Sequence, residues 1–156
     1  MPKEFTSSPE VEEIAEKLIE ILKPELEGFT IRYIFNSENP KKDGREVIGL
    51  ARKVVGLNAY LAGEPEGFFV LETGLPAYEE LTTNQKIAYV HHELCHFGID
   101  DPGNLSIIPH DIEEFNEVAA IHGAYFDRLQ IFADAVEKGN SDKTARRELI
   151  NEILGR

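Results

Sequence analysis

A chain of 156 residues, 42% hydrophobic and 29% charged, has the size and composition of one globular domain able to bury its own core. Its net charge of −13 argues against broad binding to nucleic acid or anionic membrane, where neutralising phosphate dominates affinity. Cys95 is the only cysteine, which excludes an intramolecular disulfide and Cys-rich structural zinc, and no apolar run approaches the roughly 20 residues of a membrane span. The opening Met1-Pro2-Lys3-Glu4-Phe5 has no secretory pattern, so a cytoplasmic location is expected.

An amphipathic helix is expected from about Pro9 to Leu26. Val11, Ile14, Ala15, Leu18, Ile21 and Leu22 recur at helical spacing, Ser7 or Ser8 can cap the helix, and Pro24 and Gly28 mark its end. Thr30 to Phe35, rich in β-branched and aromatic residues, reads as a strand. Asn36 to Gly44, with Asn39-Pro40 and Asp43-Gly44, reads as a turn or flexible loop. Glu46–Val55, Leu57–Leu61 and Phe68–Glu72 read as further strands, giving a small sheet of three or four mostly antiparallel strands. Lys41, Lys42, Arg45, Arg52 and Lys53 form a basic stretch diluted only by Asp43 and Glu46. A solvated strand and loop is the simpler account of it, with an anionic partner such as nucleic acid as the minority reading.

From residue 75 onward the chain reads as nearly all helix. Leu75 to Leu81 forms a short helical turn, and Thr82 or Thr83 caps a helix from 83 to 97. That helix carries His92-Glu93-Leu94-Cys95-His96, the pattern H-E-x-x-H. One helical turn separates His92 from His96, so both imidazoles can reach one metal ion, and Glu93 lies beside them as a general base rather than a ligand. Two imidazoles, a carboxylate and an open coordination position are the parts of a zinc hydrolase. Gly98 to Ile108, with Asp101-Pro102-Gly103-Asn104, reads as a loop. Pro109 opens a long helical stretch to about Glu137, and Gly139-Asn140-Ser141 breaks it, with Ser141 capping a last helix through Ile153. Helix, small sheet and then helices make the class α+β.

All five histidines, His91, His92, His96, His110 and His122, lie between residues 91 and 122. A hydrolytic zinc takes three protein ligands, and His110, expected at a helix N-terminus after a chain-reversing loop, is the first choice for the third. Glu117 competes with it, sharing one helical face with His110 and Glu114. His91 points about 100° away from His92 and is expected to be packed or solvated. His122 is expected in the core or behind the ligands. Tyr125 could donate to a substrate oxyanion, although packing is the simpler role, and Cys95 is expected to be a small buried residue off the ligand face.

The segments Gly49-Leu50-Ala51-Arg52-Lys53, Phe69-Val70-Leu71-Glu72, His92-Glu93-Leu94-Cys95-His96 and His110-Asp111-Ile112-Glu113-Glu114-Phe115 together resemble the phage metallopeptidase family. A more distant similarity is to SprT-like zinc proteases. The resemblance implies a zincin-like fold, one Zn²⁺ per chain, His110 as the third ligand, and a phage or prophage origin, hence the cytoplasm of a prokaryotic host cell. His122-Gly123-Ala124-Tyr125-Phe126 matches the SprT-like setting of a third histidine, which makes His122 a further alternative. The expected function is hydrolysis of peptide bonds in a peptide or protein substrate. The alternative is a non-catalytic binding or regulatory module whose zinc is structural. Phe68–Glu72 is expected to pair with an extended substrate, as an exposed strand edge can. Nitrogen and oxygen ligands tolerate Mn, Co or Ni as well as Zn.

Overall fold

The computed structural model describes residues 2–101 and 103–156. The chain divides into two compact units, Met1–Ile108 and Pro109–Arg156. The first contains the strands Phe5–Ser7 (β1), Ile31–Asn36 (β2), Lys41–Lys42 (β3), Arg45–Glu46 (β4), Gly49–Val54 (β5), Phe68–Gly74 (β6), Phe97–Asp100 (β7) and Asn104–Ile107 (β8). Its helices are Pro9–Leu22 (α1), Gly56–Leu61 (α2), Leu75–Glu79 (α3) and Thr83–Cys95 (α4). The second contains Asn116–His122 (α5), Asp127–Ser141 (α6) and Thr144–Leu154 (α7). The class is α+β, as the order of sequence patterns implies.

Four strands form the main sheet in the order β1-β2-β6-β5. The β1–β2 and β5–β6 pairs are antiparallel and β2–β6 is parallel, with Ile31 opposite Phe69 and Val54 opposite Phe68. Strand β6 is therefore interior, which explains why almost every one of its residues is buried. Alternation puts Phe69, Leu71 and Thr73 on one face. There the Phe69 ring stacks on Phe97 at 4.5 Å and Thr73 Oγ1 shares a 2.8 Å hydrogen bond with the hydroxyl of Tyr89 on α4. Helix α1 buries Val11, Ala15 and Leu18 and packs against α4. On the other face the Arg32 guanidinium lies 4.4 Å over the Phe68 ring. Also on that face, the buried Glu72 carboxylate accepts from Asn36 Nδ2 at 3.0 Å and from Arg52 Nε at 3.3 Å.

Helix α4 has a well-defined start. Thr82 Oγ1 accepts from the Gln85 N–H at 3.2 Å and the Gln85 side chain accepts from the Thr82 N–H at 2.9 Å, a complete capping box. Tyr89 ties the helix to the sheet so closely that Gly49 is required opposite it: a Cβ there would stand 1.9 Å from the Tyr89 hydroxyl.

Several expectations need correction. Helix α1 ends at Leu22, four residues early, because Pro24 opens a separate 3-10 turn, Pro24–Leu26. Leu57–Leu61 is helix α2 rather than a strand: a five-residue apolar run does not define its period, and the chain must reverse here between two antiparallel strands. Phe68–Glu72 is not an edge, since β2 and β5 flank it on both sides, so it has no free backbone to offer a substrate. The expected loop at 36–44 instead enters a tight hairpin, with Asp43 and Gly44 at φ 52° and 77° as the two turn residues. The expected loop Gly98–Ile108 is mostly the hairpin β7–β8, with Asp100 opposite Asn104; Pro102 of the expected turn lies outside the described residues.

In the second unit Pro109 does not open a helix. Residues 109–115 are non-helical, α5 begins only at Asn116, and Gly123 ends it with φ 62°. Helix α6 continues through Gly139 to Ser141, whose hydroxyl donates back to the Glu137 carbonyl at 2.7 Å instead of capping α7. Lys143 is the N-cap of α7, without a side-chain cap, and the preceding Asp142 carboxylate accepts from the Thr144 N–H at 3.0 Å. Leu129 and Ile153 are the buried apolar residues of these helices.

Candidate metal centre

The last turn of α4 carries the H-E-x-x-H sequence. The helix ends at Cys95 rather than 97, and His96 is its C-cap, yet His96 keeps right-handed helical backbone angles, φ −75° and ψ −19°. One-turn spacing therefore survives, and the His92 and His96 rings lie 5.1 Å apart, centroid to centroid, at 75°.

The β7–β8 hairpin returns the chain to this point. Phe97 pairs with Ile107, and the next step of the ladder is continued by the Ile108 N–H, which donates to the His96 carbonyl at 2.7 Å. The Ile108 carbonyl in turn accepts from His96 Nδ1 at 2.7 Å. A carbonyl can only accept, so Nδ1 carries the proton and Nε2 keeps its lone pair for a metal. Two residues further on is His110. One ring nitrogen from each of His92, His96 and His110 can be chosen so that all three lie within 4.8 Å of one another. A tetrahedral zinc with bonds near 2.1 Å wants its nitrogens about 3.4 Å apart, a closure within reach of rotation about side-chain bonds. Two of the three rings are exposed and His96 is half-buried, so an ion held here would keep access to solvent.

Thus the residue expected as third ligand is brought to the other two, though by a different route from the expected one. A β-hairpin and a non-helical segment carry His110 there, not a helix N-terminus. The corollary of one shared helical face for His110, Glu114 and Glu117 falls with that helix: only Glu117 is helical, on the first turn of α5. The described group of potential ligands contains neither Glu117 nor His122. His122 is exposed near the end of α5, not in a core. Cys95 is also exposed, because the last turn of α4 is covered less than an interior helix would be. His91 is half-buried, and burial, helped by the Lys23 charge, lowers its pKa.

Glu93 is 5% exposed. Burial raises its pKa, while Lys42 and a protonated His96 would act in the opposite sense. A carboxyl in such surroundings is a better proton acceptor near neutrality than a solvated one. In the second unit the Tyr125 hydroxyl donates to Glu114 Oε2 at 2.5 Å, and the Phe115 N–H donates to Glu114 Oε1 at 2.8 Å. These two bonds hold the Glu114 carboxyl below the usual range, and the same bond to Glu114 raises Tyr125. Tyr125 is exposed, so the expected packing role is replaced by this polar one.

Sequence reasoning missed the Ile108 carbonyl, since a main-chain acceptor has no side-chain signature. It also missed the influence of the Lys42 charge on Glu93, since the two are 51 positions apart in the chain.

With this geometry in view, the family can be stated: the chain belongs to the family described as "Putative phage metallopeptidase", whose profile matches residues 3–137 of 156. Membership implies a metal cofactor and a peptide or protein substrate. No curated protein and no solved structure matches the chain.

Proposed function

We propose that this member of the family is a zinc-dependent peptidase of zincin type, with His92, His96 and His110 holding one Zn²⁺ and Glu93 as general base. The observation that carries the reading is the convergence of three imidazole nitrogens within 4.8 Å beside a buried carboxyl. The donor set fits the ion: three neutral imidazoles leave one tetrahedral position open, as hydrolytic zinc sites require. When bound, zinc would supply Lewis acidity, lowering the pKa of a water toward neutrality and polarising a carbonyl.

The chain's own groups supply the rest. Glu93 takes the proton of the attacking water and returns it to the departing amine, so one carboxyl serves as base and then acid. The Ile108 carbonyl fixes the ring plane and tautomer of His96. Among the described residues no helix is long and apolar enough to cross a membrane. On this reading the protein acts in the cytoplasm of a prokaryotic host cell on peptide or protein substrates.

Glu93→Gln is the direct test. The variant should retain about one zinc per chain while cleavage of labelled casein falls by about 10²–10⁴-fold. Cleavage at the parent rate with zinc retained would remove Glu93 from the chemistry and leave the ion a structural role.

A further inference from the structure

Residues 109–115 carry the third imidazole without the support of regular structure, since they belong to no helix and no strand. Among the described residues, none of the N–H groups from Asp111 to Glu114 enters a backbone hydrogen bond. Burial does not hold the segment either. Pro109, His110, Asp111, Glu113 and Phe115 are exposed, Ile112 and Glu114 are half-buried, and α5 immediately beyond buries none of its residues.

The segment is tied instead at its two ends. At one end Ile108 is bound to His96 through both its N–H and its carbonyl. At the other, the Glu114 carboxylate accepts from the Tyr125 hydroxyl at 2.5 Å and from the Phe115 N–H at 2.8 Å. His110 lies between them, two residues past the first anchor and four before the second.

The second anchor is built by the chain turning back on itself. Tyr125 is 11 residues beyond Glu114, and Gly123 makes the turn between them. Its backbone, φ 62° and ψ −151°, is one that glycine alone adopts freely. The Tyr125 ring lies 4.9 Å from the Phe126 ring and 6.4 Å from the His122 ring, both at steep angles, so its placement does not depend on the hydroxyl alone. An ionised acceptor makes the bond between hydroxyl and carboxylate stronger than a neutral one.

A ligand on a segment without core or ladder is in place for only part of the time unless something fixes it. The apparent affinity of a site falls by the fraction of chains in which it is assembled. Holding the segment before the ion arrives removes part of the entropic cost of binding.

We propose that Glu114 and Tyr125 form a latch that positions His110, holding residues 109–115 so that its imidazole meets those of His92 and His96. The latch rests on the ligand set proposed above. Neither residue touches the ion or the substrate; both act through the segment that bears His110.

The test measures Zn²⁺ affinity of the full chain by chelator competition for Tyr125→Phe, Glu114→Ala, their combination and Glu114→Gln. Each is made in the parent and in the His110→Ala background. We expect Tyr125→Phe and Glu114→Ala each to weaken zinc binding about tenfold, and the combination to weaken it no further, because both remove one bond. Glu114→Gln keeps an acceptor oxygen and should retain most of the affinity. In the His110→Ala background none of these substitutions should change zinc affinity. The urea midpoint of the metal-free protein should also be unmoved, since α5 gives no buried residue to a core.

Parental affinity in both Tyr125→Phe and Glu114→Ala would overturn the latch. So would an equal loss with and without His110, or a loss matched by a lower urea midpoint, since either means a general disturbance. His110→Ala with parental affinity would sink the ligand set and the latch together. A large loss in His110→Ala beside unchanged Tyr125→Phe and Glu114→Ala would sink the latch alone.

Discussion

Gly49→Ala should unseat the helix that carries the histidines. The added Cβ would lie 1.9 Å from the Tyr89 hydroxyl, 2.8 Å from Tyr89 Cζ and 2.8 Å from the Glu72 carbonyl oxygen. Cβ atoms essentially never approach within 3.0 Å, so the hydroxyl must retreat by about 1.1 Å, breaking its 2.8 Å bond to Thr73 Oγ1. Stranding two buried hydroxyls costs about 1–3 kcal/mol. Overpacking of a filled seam adds about 1–3 kcal/mol. The sum, about 2–6 kcal/mol, corresponds to a fall in Tm of about 6–18 °C for a chain of this size. Tyr89→Phe removes the atom in closest conflict, so Gly49→Ala should cost at least about 1 kcal/mol less in that background, a coupling that a double-mutant cycle by urea denaturation would read. A Gly49→Ala penalty under about 0.5 kcal/mol, or the same penalty with and without the hydroxyl, would refute the packing assigned to this seam.

Three further substitutions probe other parts of the account. Thr82→Ala removes the capping box of α4 and should cost about 1 kcal/mol in urea denaturation, while a neutral result would deny the cap its role. Asn36→Ala deprives the buried Glu72 carboxylate of its 3.0 Å donor and should cost about 1–3 kcal/mol, more than the exposed Arg52→Ala, where water can replace the lost guanidinium. Gly98→Val places new atoms within 2.8 Å of Ile108 and Ser106, disturbing the residue whose carbonyl orients His96. Zinc affinity by chelator competition should fall by about tenfold, and an unchanged affinity would show that the carbonyl does not matter.

The metal motif was legible because H-E-x-x-H ties chemistry to one helical turn, and the clustering of histidines pointed to a partner downstream. The path of His110 was not, because Gly98 to Ile108 was read through its Asp-Pro-Gly-Asn centre alone. The alternation of Phe97 and Ile99 before that turn and Leu105 and Ile107 after it was the hairpin signal. Pro109 fits both a first helical turn and an extended segment, and only tertiary pairing at Ile108 decides between them. Leu57–Leu61 shows the same ambiguity in an apolar run too short to reveal a period. The interior position of β6 depends on a parallel pairing with β2 across 32 intervening residues from Asn36 to Phe69, and no local pattern encodes strand order.

Metal content per chain, measured on protein purified without added metal beside its His110→Ala variant, tests the central claim most directly. The account predicts about one zinc per parent chain and a large loss in the variant. A parent devoid of metal, even after incubation with zinc and desalting, would contradict it, as would full zinc retention by the variant.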